Sequence, residues 1–221
     1  MRATLDPRLK ICCINSTKEA KLAIDYGASA IGLVSEMPSG PGVINEEKII
    51  EIAKSVPPPI ATFLLTSKTD AKEIIEQQRR LGTNTIQIVD ELKTGTYKEI
   101  KEALPGIKIV QVIHVMNEDS VKEAIKISRE VDAILLDSGN PNLEIKELGG
   151  TGRKHNWQLS KKIREEIDIP VFLAGGLNHK NVREAIETVY PFGIDVCSGL
   201  RINGNLDKEK LQLFIEEINN I

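Results

Sequence analysis

Pro170-Val171-Phe172-Leu173-Ala174-Gly175-Gly176 is an unbroken apolar run that ends in paired glycines, and Gly193-Ile194-Asp195-Val196-Cys197-Ser198-Gly199 repeats the shape. Residues 180–190 between them read as a helix. A strand buried on both faces shows no polar alternation, so two such runs joined by a helix predict parallel neighbours in one sheet. The same unit recurs upstream. Strand-like residues 133–137 precede a long loop and a helical stretch at 157–167; 107–115 precede 118–128, 85–89 precede 97–104, and 60–65 precede 70–81. Residues 30–34 precede a helix at 46–54 capped by Asn45, and 8–14 precede a helix opened by the capping-box pattern Ser16-Thr17-Lys18-Glu19. Residues 193–197 and 208–218 close the series. Eight strand-then-helix units in 221 residues predict an α/β fold, a single (β/α)8 TIM barrel domain over residues 1–221, rather than an open doubly wound sheet.

Composition narrows the function. Hydrophobic residues make up 41% and charged residues 28%, enough for a sizeable core, and the net charge of −3 carries no basic run. Nucleic acid and anionic membrane surfaces are therefore not expected partners. No apolar run approaches the roughly 18 residues of a spanning helix, and Met1-Arg2-Ala3-Thr4-Leu5-Asp6-Pro7-Arg8 lacks the apolar segment of a secretory signal. Three cysteines without zinc-like spacing point to free thiols in a reducing cytoplasm.

In a barrel of this kind the chemistry sits at the C-terminal ends of the strands. Three glycine clusters fall there: Leu148-Gly149-Gly150-Thr151-Gly152, Leu173-Ala174-Gly175-Gly176 and Cys197-Ser198-Gly199. Glycines let backbone N–H groups approach an anion closely, so Gly150, Thr151, Gly152, Gly175, Gly176, Ser198 and Gly199 read together as one phosphate cradle. Alternation sends Cys12 and Cys13 to opposite faces, so only one is expected in the mouth. Lys10 shares a face with Cys12, where an ammonium would favour the thiolate. Asp137 ends the apolar run Ile134-Leu135-Leu136 and must be paired or open to the mouth. Gln87 in the fourth strand and Asp195 in the eighth are further polar groups at this end. His114 reads as a strand-end hydrogen-bonder, His155 as a loop residue and His179 as a helix-start residue. No cluster has metal spacing, so no metal is expected.

Lys10-Ile11-Cys12, Leu135-Leu136-Asp137, Gly149-Gly150-Thr151-Gly152 followed by Trp157, Leu173-Ala174-Gly175-Gly176-Leu177-Asn178 with Asn181-Val182, and Asp195-Val196-Cys197-Ser198-Gly199, in this order, resemble phosphoribosylanthranilate isomerase of tryptophan biosynthesis. The resemblance runs from about residue 9 to 214. It implies a (β/α)8 barrel that performs an Amadori rearrangement without a cofactor, on a small phosphorylated sugar, as a cytoplasmic monomer or homodimer. Asp137 would be the general acid that opens the furanose, Cys12 the general base at C2, and the glycine loops the phosphate site.

Four positions depart from the family pattern. Cys13 stands where the family has Gly, and Met37-Pro38-Ser39-Gly40-Pro41-Gly42-Val43 lacks the Arg that helps hold the anthranilate. Val89 replaces a His, and Arg201 replaces a Glu. Arg201 or Arg153 is expected to supply a substitute anion contact. The alternatives to the isomerase are an enzyme for another phosphorylated aminosugar, or a non-catalytic phosphosugar-binding barrel.

Overall fold

The computed structural model describes residues 6–221. Residues 1–5 of the expected domain, and most of the segment read for a signal, lie outside the described residues. Eight parallel strands, β1 (Arg8–Ile11), β2 (Ala30–Val34), β3 (Ala61–Thr66), β4 (Thr85–Ile88), β5 (Lys108–His114), β6 (Ala133–Asp137), β7 (Val171–Leu173) and β8 (Gly193–Val196), form a closed barrel in sequence order. The seam is the β1–β8 pairing, with Lys10 opposite Asp195 and Ile11 opposite Val196. Closure excludes the open doubly wound sheet.

A helix follows each strand: α1 (Thr17–Asp25), α2 (Glu46–Ser55), α3 (Ala71–Leu81), α4 (Tyr97–Ala103), α5 (Glu118–Ile127), α6 (Trp157–Glu166), α7 (Val182–Val189) and α8 (Lys208–Asn219). Local signals set their ends. Asp70 accepts from the Lys72 and Glu73 amides at the start of α3, and Gly82 ends it in the left-handed conformation. Thr96 and Glu99 form a reciprocal capping box on α4. At α1 only half of the expected box exists. Ser16 accepts from the Glu19 amide, but the Glu19 carboxylate turns to the amides of Asn15 and Leu206. A short antiparallel pair, β9 (Arg201–Ile202) with β10 (Asn205–Leu206), sits between β8 and α8 and was not expected from the sequence.

Alternation along the strands divides the core into two layers. Leu9, Ile11, Ile31, Leu33, Leu64, Ile86, Ile109, Ile134, Leu173 and Ile194 face the helices. Ala30, Val34, Phe63, Leu65, Val110, Val112, Leu135, Phe172 and Ala174 form the inner cluster with Cys12. Phe63 and Phe172 meet edge to face at 5.9 Å. Lys10 is fully buried beside them, its ammonium 5.1 Å from the Phe63 ring. No described helix is long and apolar enough to cross a membrane.

Candidate active site

A cavity of about 690 Å³, counting its open top, lies over the C-terminal ends of the strands. Cys12, Gln87, Asp137, Gly150, Thr151, Gly152, Gly175, Gly176, Asp195 and Ser198 all line it. Strand order explains the convergence, because β1, β4, β6, β7 and β8 all point the same way and end at one rim.

Asp137 is the last residue of β6 and is 8% exposed. Its Oδ1 accepts from the Ser138 amide at 2.7 Å, and the Ser138 hydroxyl meets Thr151 Oγ1 at 2.8 Å. Oδ2 faces Gly149, where an added Cβ would stand 2.8 Å from it. Burial pushes the Asp137 carboxyl above the ordinary range, with Asp195 adding to the rise, against the Ser138 amide and His114. A carboxyl so placed holds its proton to higher pH than a surface aspartate.

Cys12 follows β1, and its amide still pairs with the Val196 carbonyl at 2.9 Å. A Cβ on Gly32 would stand 2.8 Å from Cys12 Sγ and 3.1 Å from Lys10 Nζ, so thiol and ammonium flank one small gap. Only glycine leaves that gap open. Lys10 also pairs with Asp195 at 2.8 Å. Burial works against the Lys10 charge, but Asp195 and Cys12 outweigh it and hold its pKa above the ordinary value. An ammonium is thus fixed beside the thiol.

Cys13 is the first correction. It adopts φ +62, so the chain leaves strand geometry and the Cys13 side chain swings into the mouth beside Cys12. Both cysteines therefore line the cavity, against strict alternation. The left-handed conformation is the one in which the family's glycine is at ease.

The three glycine loops meet. Gly152 and Gly176 have φ +68 and +65. A Cβ on Gly176 would come 2.7–2.8 Å from backbone atoms of Arg153 and Gly152, and one on Gly152 would lie 3.5 Å from Ser198 Oγ. The loops after β6, β7 and β8 are thus in backbone contact, and a side chain at Gly176 would force them apart. Gly199 is not part of the lining; its Cα packs against Leu177.

Arg201 is the second correction. It does not line the cavity. Its guanidinium bonds both Glu19 oxygens at 3.1 and 3.2 Å, the carbonyls of Cys12 and Cys13 at 3.0 and 2.6 Å, and that of Gly204 at 2.9 Å. The charge reversal at this position is met by Glu19 beneath the first loop. Arg153 pairs with Glu147 and also lies outside the lining. No Lys or Arg lines the cavity among the described residues. Nor does any group of three or more His, Cys, Asp or Glu there suit a metal ion.

The loop after β2 crosses the mouth: Ser39 Oγ donates to the Lys146 carbonyl at 2.6 Å, and Gly40 and Pro41 approach Gly149 and Gly150. Beneath it, Val34, Met37, Leu65 and Val89 give one side of the cavity an apolar wall. His114 Nε2–H donates to the Val89 carbonyl, 3.0 Å away, as a strand-end hydrogen-bonder. His155, read as a loop residue, is largely buried against Ser160 and borders Asp137 across Gly175.

Residues 9–217 match the family profile described as N-(5'phosphoribosyl)anthranilate (PRA) isomerase. The chain is 31% identical to N-(5'-phosphoribosyl)anthranilate isomerase of Methanosarcina acetivorans, covering 98% of this chain and 95% of that protein. It superposes on phosphoribosyl anthranilate isomerase of Thermotoga maritima with a TM-score of 0.81 at 27% identity, covering 97% of this chain and 100% of the other. A phosphoribosyl anthranilate isomerase solved with reduced 1-(o-carboxyphenylamino)-1-deoxyribulose 5-phosphate gives 0.78 at 25% identity, with the same coverage. Barrel, mouth and whole-length likeness agree: this chain belongs to the N-(5'-phosphoribosyl)anthranilate isomerase family.

Proposed function

We propose that this chain isomerises N-(5'-phosphoribosyl)anthranilate, an aldose derivative, to the 1-deoxy ketose. The observation that carries the reading is the pairing, in one mouth, of a buried carboxyl at Asp137 with a thiol at Cys12 fixed beside the Lys10 ammonium. Relatives that bear this activity by name support it.

The substrate phosphate sits against the N–H groups of the loops at Gly150–Gly152, Gly175–Gly176 and Ser198, where close backbone approach favours an anion. Asp137 gives its proton to the furanose ring oxygen. The nitrogen lone pair opens the C1–O bond, leaving an iminium and a free C4 hydroxyl. Cys12, as thiolate, takes the C2 proton, and the C–H electrons form the C1–C2 double bond while the iminium becomes an enamine. The enol then loses its hydroxyl proton and gains one at C1, giving the ketose. A raised acid and a base held next to a cation are what general acid–base catalysis needs near neutral pH.

The aromatic ring packs on the Val34, Met37, Leu65 and Val89 wall. Ser39 and Gln87 are the neutral polar side chains at that end, and Gln87 Oε1 is buried without a hydrogen-bond partner. That cation-free end also favours a second reading, a phosphorylated aminosugar without the aromatic carboxylate. Turnover of N-(5'-phosphoribosyl)anthranilate, followed by loss of its fluorescence, separates the two when compared with the aniline analogue. A higher kcat/KM for the anthranilate supports the first reading. A preference of tenfold or more for the aniline analogue would replace it with the second.

A further inference from the structure

Cys13 and Cys197 stand on the two strand ends that close the barrel, 184 residues apart in sequence, with their sulfurs 2.6 Å apart. The β1–β8 register, continued past Ile11–Val196, sets Cys12 opposite Cys197. It is nevertheless Cys13 that meets Cys197, because φ +62 at Cys13 turns its side chain back toward β8. Cys12 Sγ also contacts the Cys13 thiol, but it borders Gly32 of β2 and Lys10 on its other side, and Cys197 bonds Cys13. All three thiols are reduced in the structure and line the mouth; Cys12 and Cys13 are 6% and 5% exposed, and Cys197 is the one partly open to a small oxidant.

We propose that Cys13 and Cys197 form a reversible disulfide that staples the β1–β8 seam and leaves Cys12 free. The co-reactant is a low-molecular-weight disulfide. Cys197, as thiolate, attacks one of its sulfurs, the S–S bond of the small molecule breaks, and one small thiol leaves. Cys13 then loses its proton and attacks the mixed disulfide at the Cys197 sulfur, expelling the second small thiol. Two protein thiols are oxidised and one small disulfide is reduced to two thiols, so atoms and electrons balance. The order of attack follows the electrostatics. Contact with Cys13 and the Arg201 charge lower the Cys197 thiol, while Cys12, Cys197 and burial raise that of Cys13. Little movement is required, since a disulfide needs neighbouring backbones with converging side chains and the seam supplies them.

The test uses the purified full chain incubated with oxidised glutathione. The intact mass should fall by two hydrogens with no glutathione retained, and one thiol, Cys12, should remain alkylatable after denaturation. A peptide map should link Cys13 to Cys197. Closing a loop of this length should raise the urea midpoint by about 2 M, reversed by dithiothreitol. Cys13→Ser should instead trap one glutathione on Cys197, since the resolving thiol is gone. Three free thiols, a stable glutathione adduct on the native chain, a link through Cys12, or an unchanged midpoint would each overturn the proposal. None of these readouts depends on the reaction proposed above.

Discussion

Arg201→Ala should unfold the chain far more readily than its absence from the cavity lining suggests. The Arg201 and Glu19 side chains are 7% and 10% exposed, and five hydrogen bonds leave the guanidinium. Removing one partner of a buried pair strands the other charge, at about 3–5 kcal/mol. Here the carbonyls of Cys12 and Cys13 also lose their donor. Against a total stability of about 5–15 kcal/mol, that is a large fraction. With a slope of roughly 2–3 kcal/mol per molar urea, the midpoint should drop by about 1–2 M. Glu19→Gln in the Arg201→Ala background should recover part of the loss, because no buried charge is then unpaired. It should not recover all of it, because the two carbonyls still lack their donor. A drop below about 1 kcal/mol, the size found for exposed pairs, would refute this account of why a positive residue stands at that position.

Three further outcomes follow from the same geometry. The raised pKa of Asp137 means that the fold binds its proton more tightly than the unfolded chain does, so the contribution to stability is full below about pH 4 and is lost as pH rises through the folded value. Asp137→Asn should therefore have a higher urea midpoint than the native chain at pH 7 and lose that advantage toward pH 4; equal midpoints at both pH values would contradict it. Burial lowers His155 to about 4, so the native chain should lose stability as pH falls from about 6.5 toward 4, by up to about 3 kcal/mol. His155→Phe should flatten that part of the profile, and an unchanged acid-side slope would show that the ring is not buried neutral. Gly176→Ala places a Cβ 2.7 Å from the Arg153 backbone at φ +65. It should raise KM for the phosphorylated substrate tenfold or more; an unaltered KM would separate the loop contact from phosphate binding.

The strands were legible because parallel strands in a barrel are covered on both sides, so 30–34 appears as a bare apolar run and 133–137 as one broken only by its terminal Asp137, both with the bounds observed. The glycine clusters were legible for a related reason: side chains there would collide with neighbouring loops or sit at positive φ. Pairings across the seam were less so. Lys10 and Asp195 could each be placed on a strand, but their partnership depends on a register between the first and last strands. Glu19 carries the signature of a capping box, and only the position of β9 and β10 shows why its carboxylate turns to Arg201 and the Leu206 amide instead. Cys13 defeats alternation because a single left-handed residue leaves no mark in a hydrophobic pattern. Gly there would have signalled the turn, and cysteine hides it.

The central claim is that Asp137 and Cys12 work as acid and base in one mouth, and it is tested most directly by turnover of N-(5'-phosphoribosyl)anthranilate in Asp137→Asn and Cys12→Ser, with binding of reduced 1-(o-carboxyphenylamino)-1-deoxyribulose 5-phosphate measured alongside. Each variant should lose about 10²–10⁴-fold in kcat while binding that ligand within a few-fold of the native chain. Full turnover in either variant, with the ligand still bound, would contradict the assignment.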